Sequence, residues 1–222
     1  MTGYRLHDDL SFCRIDGRTI FLDTRNDRYF RLSGNLERAF IEHIEGVTCS
    51  SDDISRLVES NILTDAPPLP NAAHNSIMIA SRSALELPSI HAPCGAGSVT
   101  EVFANVFWAH LQLKVRRLKV ILDDITDFRC RKATLERDCT ESHLLNNALT
   151  FLKARKFVPI ETCCLLDALS ITAFLTRRHL YANIVFGVTS DPFSAHCWVQ
   201  SGDIVLNDTI GNTRAYTVIR VI

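Results

Sequence analysis

Cys164-Leu165-Leu166-Asp167-Ala168-Leu169-Ser170-Ile171-Thr172-Ala173-Phe174-Leu175-Thr176-Arg177-Arg178, with the residues that follow, decides the fold. Leu165, Ala168, Leu169, Thr172 and Leu175 recur in steps of three and four, the period of a helix with a buried face. Arg177, Arg178 and His179 close the run with charges that suit a helix C-terminus. After it the period changes to two. Residues 182–189, 195–200, 204–208 and 215–221 are rich in Val and Ile and read as strands. Upstream, residues 142–156 form a helical pattern that ends before Pro159. Residues 99–120 form a long one, with Val99, Phe103, Val106, Phe107, His110 and Leu113 on the face expected to meet the core. Residues 123–140 are polar and read as a loop or short elements. Helices first and an antiparallel sheet afterwards make an α+β arrangement.

A boundary precedes this part. Pro67, Pro68 and Pro70 cannot continue a helix or a central strand, so residues 66–76 read as a stiff linker between a first domain, 1–65, and a second, 77–222. In the first domain, residues 10–15 and 18–23 are strands joined by the two-residue turn Asp16-Gly17. Arg25-Asn26-Asp27 turns the chain into a third strand, 28–32. Ser33-Gly34-Asn35 opens a helix carrying Leu36, Phe40 and Ile44, and Ser51-Asp52-Asp53 caps another carrying Ile54, Leu57 and Val58. Three small strands and short helices point to a winged-helix-like fold. This domain has 8 Lys+Arg against 12 Asp+Glu, net −4, which is the wrong sign for a DNA-binding winged helix. A strand edge beside a helix can instead accept an extended peptide as an added strand.

The whole chain carries a net charge of −1 over 222 residues, so no global charge favours nucleic acid or an anionic membrane. No apolar run is long enough to span a bilayer, and the first residues lack an apolar signal core; a cytoplasmic protein is expected. Eight cysteines without Cys-x-x-Cys spacing read as thiols, not as a disulfide framework or a zinc site, and no cofactor is expected.

The chemistry concentrates at Cys164, His196 and Asp208. A thiol becomes a strong nucleophile when an imidazole takes its proton, and the imidazole needs a third group to orient it. Cys164 opens its helix, where unpaired N–H groups favour a thiolate. If Ser201-Gly202-Asp203 is a three-residue loop, Gln200 faces Ile204 and, in step, His196 faces Asp208. Directly opposed residues place their Cβ atoms about 4.5–5.5 Å apart. Asn207 is the alternative orienter, pointing to the other face in this register. Cys163 competes as nucleophile if the helix starts sooner. Cys197 is directed away from the imidazole by strand alternation. Trp198 is either a lid over the His–Asp pair or a core aromatic.

Cys164-Leu165-Leu166-Asp167-Ala168-Leu169-Ser170, Val185-Phe186-Gly187-Val188, Pro192-Phe193-x-Ala195-His196-x-Trp198-Val199 and Val205-Leu206-Asn207-Asp208 resemble the lasso-peptide maturation B protein, a transglutaminase-like cysteine protease. Phe21-Leu22-Asp23 and Asp27-Arg28-Tyr29-Phe30-x-Leu32 are similar to its leader-recognition domain. The resemblance implies a transglutaminase/papain-like domain fused to that recognition domain, and it selects Cys164 over Cys163. It departs from the family at Ala168 and Cys163. It implies that a precursor leader adds a strand beside Tyr29, Phe30, Arg31 and Leu32 and packs on Ile54, Leu57 and Val58. Cys164, His196 and Asp208 would then cut the leader–core bond, and the core would pass to an ATP-dependent lasso cyclase. A transglutaminase-type acyltransferase and a non-catalytic peptide-binding scaffold are the alternatives.

Overall fold

A computed structural model describes residues 3–47, 49–66, 77–87, 95–132 and 140–222. The proline-rich stretch of the expected linker, 67–76, lies outside them, as does the 133–139 portion of the expected 123–140 loop.

The first part is built on a three-stranded antiparallel sheet, β2 (Leu10–Ile15), β3 (Arg18–Asp23) and β4 (Arg28–Phe30), in that order. The β2–β3 hairpin turns at Asp16 and Gly17, with φ of 51° and 74°; a two-residue hairpin loop of the primed type needs both positive. Helices α1 (Gly34–Ile44) and α2 (Ser51–Glu59) cover one face, burying Phe21, Phe40 and Leu57 in a small core. Ser50, one residue before the expected cap cluster, caps α2 by accepting the Asp53 N–H. A further pair, β1 (Tyr4–Leu6) with β5 (Leu63–Asp65), ties the two ends of this part together.

The second part has β6 (Arg82–Ser83), then helices α3 (Ala96–Val115), α4 (Leu118–Lys132), α5 (Glu141–Arg155) and α6 (Cys164–Thr176). Strands β7 (Asn183–Ser190), β8 (Phe193–Ser201) and β9 (Ile204–Val205), the short helix α7 (Ile210–Thr213) and β10 (Thr217–Val221) follow. The sheet order is β10-β7-β8-β9-β6. It is antiparallel except at one edge, where β6 lies parallel to β9. Helices first and sheet second is as expected for α+β, but three details differ. The expected 99–120 helix breaks at Arg116, whose backbone is extended, because the Lys119 N–H donates to Thr24 O and its ammonium reaches Asp9 at 2.7 Å. Much of the expected loop is α4, which buries Ile121 and Leu122 and turns its aspartates to solvent. In α3 the buried face is Val102, Asn105, Val106 and Ala109, whereas Phe103 and Phe107 are 41% and 52% exposed. That helix is apolar almost all round, so its sequence does not select a face. No helix among the described residues is long and apolar enough to cross a membrane.

Besides its own small core, the first part contributes to the larger one. Cys13, Ile20 and Leu22 join the cluster formed by α3–α6 and the larger sheet. Arg220 donates to Ser11 Oγ at 3.1 Å, and Ser190 Oγ to Asp16 Oδ2 at 2.6 Å.

Gly187 sits in β7 opposite His196. A Cβ there would lie 2.8 Å from the Trp198 ring and 2.8 Å from Tyr216 Cβ. Both rings flank the His196 imidazole, with centroids 6.1 and 5.1 Å away. Gly187→Ala is expected to cost about 1–3 kcal/mol of stability through overpacking, read as a lower urea midpoint. An unchanged midpoint would show that the rings give way freely.

Candidate active site

Cys164 is the first residue of α6, and Cys163 is its N-cap. The loop that delivers it is fastened by Arg155, 7% exposed at its side chain. This guanidinium donates to Asp167 Oδ1 at 2.7 Å in the first turn of α6, and to the carbonyls of Val158, Ile160 and Glu161. Burial raises the Asp167 carboxyl's pKa, and Arg155 only partly offsets it.

The strands bring in the imidazole and the carboxylate by a route other than the expected one. The β8–β9 loop has two residues, Gly202 and Asp203, so Gln200 faces Val205 and Ser201 faces Ile204. This register is one residue away from the expected one, and regular pairing would set His196 against Thr209. The ladder stops first. Leu206 N–H donates to Val199 O at 2.8 Å, and the Val199 N–H then goes to the Asn207 side-chain oxygen at 2.7 Å instead of a strand carbonyl. Asn207 thus ends the strand, and it does not touch the imidazole. The chain bends, Ser83 Oγ holds Asp208 O at 2.5 Å, and the Asp208 carboxylate comes back to His196. The His196 Nε2 to Asp208 Oδ2 distance is 2.5 Å. Asp208 also accepts from the Thr209 N–H at 2.7 Å and from Asn212 Nδ2 at 2.8 Å.

Cys164, His196, Asp208, Asn212, Cys163 and Cys197 line one cleft of about 300 Å³. Cys164 is half-buried, and its thiol is pulled down to about 4. Hydrogen bonds from the Cys197 thiol and from His196 do this, against the opposing effect of burial, with help from the Cys197 backbone N–H. His196 is pushed up to about 9 by its hydrogen bonds to Asp208 and Cys164, which outweigh burial. Burial pushes Asp208 up, but the bonds from His196, Thr209 and Asn212 leave its carboxyl below the usual range. At neutral pH the pair is therefore a thiolate facing an imidazolium, with Asp208 ionised behind it. Alkylation of Cys164 by iodoacetamide should rise as pH passes about 4 and already be on its plateau at pH 7. A midpoint near the free-thiol value of about 8.5 would contradict the ion pair.

Asn212 and the Arg155–Asp167 clamp escaped the sequence reading, and Cys197 was weighed there only as a competing thiol. Asn212 stands four residues after Asp208, and that spacing was its only sign. Trp198 is core, 3% exposed, with its indole N–H on Gln200 Oε1 at 3.1 Å; it floors the imidazole and is not a lid. Cys163 is exposed.

The candidate leader contacts divide. Tyr29 turns toward the second part, its ring 5.6 Å from Phe193, and Arg31 donates to Ser190 O at 3.2 Å. Burial, first, holds the Tyr29 phenol up, and the ring packs against the larger core. Phe30 stacks on Phe21, and Leu32, Ile54 and Val58 line the margin of the small core. Leu57 is fully buried, so as a surface contact for a peptide it is corrected: its side chain is spent on the core.

A family model described as the transglutaminase-like superfamily matches residues 109–221, a span that contains the whole Cys-His-Asp constellation. Microcin J25-processing protein McjB of Escherichia coli is 32% identical over 69 residues, 31% of this chain and 33% of that protein. The match thus spans about a third of each. No solved structure matches.

Proposed function

The chain belongs to the transglutaminase-like superfamily, and on that premise we propose that it is a leader peptidase of lasso-peptide biosynthesis. The observation that carries this reading is Cys164 at the start of α6 in one cleft with a His196 hydrogen-bonded to Asp208. Similarity to a microcin-processing protein supports the choice of substrate. Cys164 Sγ attacks the carbonyl of the leader–core bond. His196, already protonated, gives its proton to the departing core amine, so the amine leaves neutral. Asp208 keeps the imidazolium stable and its ring turned toward the sulfur. Water, deprotonated by the now neutral His196, releases the leader from Cys164. The freed core then goes to an ATP-dependent cyclase.

The first part acts as the leader-recognition domain. The hairpin geometry directs the backbone of Phe30 and Arg28 to β3, opposite Phe21 and Asp23. The Tyr29 N–H and C=O then face the other edge of β4, where no strand is paired among the described residues. A leader can add there. Incubating the full chain with the precursor peptide, with and without the cyclase, and reading products by mass spectrometry tests the peptidase. Transfer to an added amine in place of hydrolysis would shift the reading to an acyltransferase. For recognition, Tyr29→Pro removes the edge N–H and should weaken leader binding by tenfold or more (~1.4 kcal/mol, one charge-free hydrogen bond plus its register). Tyr29→Ala keeps that N–H and should bind more tightly than the proline variant. Equal binding by the two would remove strand addition at β4.

A further inference from the structure

Cys197 takes no proton and forms no bond in the chemistry above, yet it lines the same cleft as Cys164. Along β8, His196 and Trp198 turn to the face that carries Tyr216, and Cys197 and Val199 turn to the opposite face, under α6. The alternation that takes Cys197 away from the imidazole therefore aims it at the helix that begins with Cys164. Cys197 is 2% exposed and belongs to the core against which Cys164 packs. Both residues line the cleft, and the Cys197 thiol lies close enough to Cys164 to help hold that sulfur's pKa down.

We propose that Cys164 and Cys197 form a peroxide-responsive dithiol, in which a disulfide between them protects the reactive sulfur reversibly. The roles follow from exposure. Cys164 is half-buried at the cleft, whereas Cys197 is almost wholly buried. The Cys164 thiolate attacks one oxygen of a hydroperoxide. The O–O bond breaks, the departing alkoxide or hydroxide takes the proton held by His196 and leaves as alcohol or water, and Cys164 becomes a sulfenic acid. Cys197 sulfur, giving up its proton, attacks the sulfenic sulfur, and the hydroxide leaves with that proton as water. Two thiols and one hydroperoxide thus give one disulfide, one alcohol (or water) and one water. A reducing dithiol returns two electrons and restores both thiols. The inference rests on Cys164 being the reactive thiolate, and it needs no peptide substrate.

The test uses the full chain, limiting hydrogen peroxide, and mass spectrometry without reduction. The expected wild-type product has lost two hydrogens, yields a Cys164–Cys197 cross-linked peptide, and regains iodoacetamide reactivity at Cys164 after dithiothreitol. Cys197→Ser and Cys197→Val should instead give a sulfenic acid trapped by dimedone, then a sulfinic acid that dithiothreitol does not reverse. A Cys163–Cys164 disulfide, no disulfide, or full recovery of both Cys197 variants would overturn the proposal. Because cleavage is not the readout, failure here leaves the peptidase reading standing, and failure of precursor cleavage leaves this one standing.

Discussion

If the chain is the proposed leader peptidase, Cys164→Ala should leave the precursor uncut, a loss on the order of 10⁴-fold or more in rate, whereas Cys163→Ala should cut it near the wild-type rate. The two sulfurs are adjacent in the chain but differ in every physical respect that matters. Cys164 sits inside the first turn of α6, lines the cleft with His196 and Cys197, and has its thiol pulled down to about 4. Cys163 is the extended N-cap, exposed to solvent. Single-turnover cleavage of the precursor by each variant, followed by mass spectrometry, measures the contrast. If Cys163→Ala were the dead enzyme and Cys164→Ala the live one, the nucleophile would be misassigned.

Asp208→Asn should lower the cleavage rate by about 10³–10⁴-fold while leaving the fold intact. An amide fills the same space but carries no charge, and it favours the wrong hydrogen-bond pattern on the imidazole. His196 is held up at about 9 chiefly by Asp208. Without the carboxylate it should fall toward the ordinary value of about 6.5. The sign is definite: the reactive pair needs a protonated imidazole, so the alkaline limb of the pH–rate profile moves to lower pH. The wild-type limb should lie near 9, and the acid limb near 4. Asn207→Ala is the control. It removes the oxygen that receives the Val199 N–H, so it should cost stability without relocating the alkaline limb. A variant Asp208→Asn with an unmoved limb would take the orienting role away from this carboxylate.

Residues close in sequence were readable because local chemistry sets them. The Asp16-Gly17 hairpin, the helix of α6 with Cys164 at its start, and the strands β7 and β8 follow from turn residues and from periods of two and three to four. The pairing of His196 with Asp208 was anticipated for the wrong reason. Side-chain alternation put the two within reach, but the ladder register is shifted by one, and Asp208 reaches His196 only after the Asn207 side chain, standing in for a backbone carbonyl, ends the ladder. The break in the expected 99–120 helix comes from Thr24 and Asp9, more than ninety residues away in the chain.

By itself the sequence determined the order of helices before sheet and the three residue types of the site, since both rest on local patterns and short spacings. Only the tertiary structure decided which sulfurs line one cleft, which face of α3 is buried, and that β2 and β3 add side chains to the larger core. Those outcomes depend on how whole elements settle against one another. Cys197 shows why: strand alternation gives the direction of its side chain, and only the packed helix above it shows that Cys164 is what lies there.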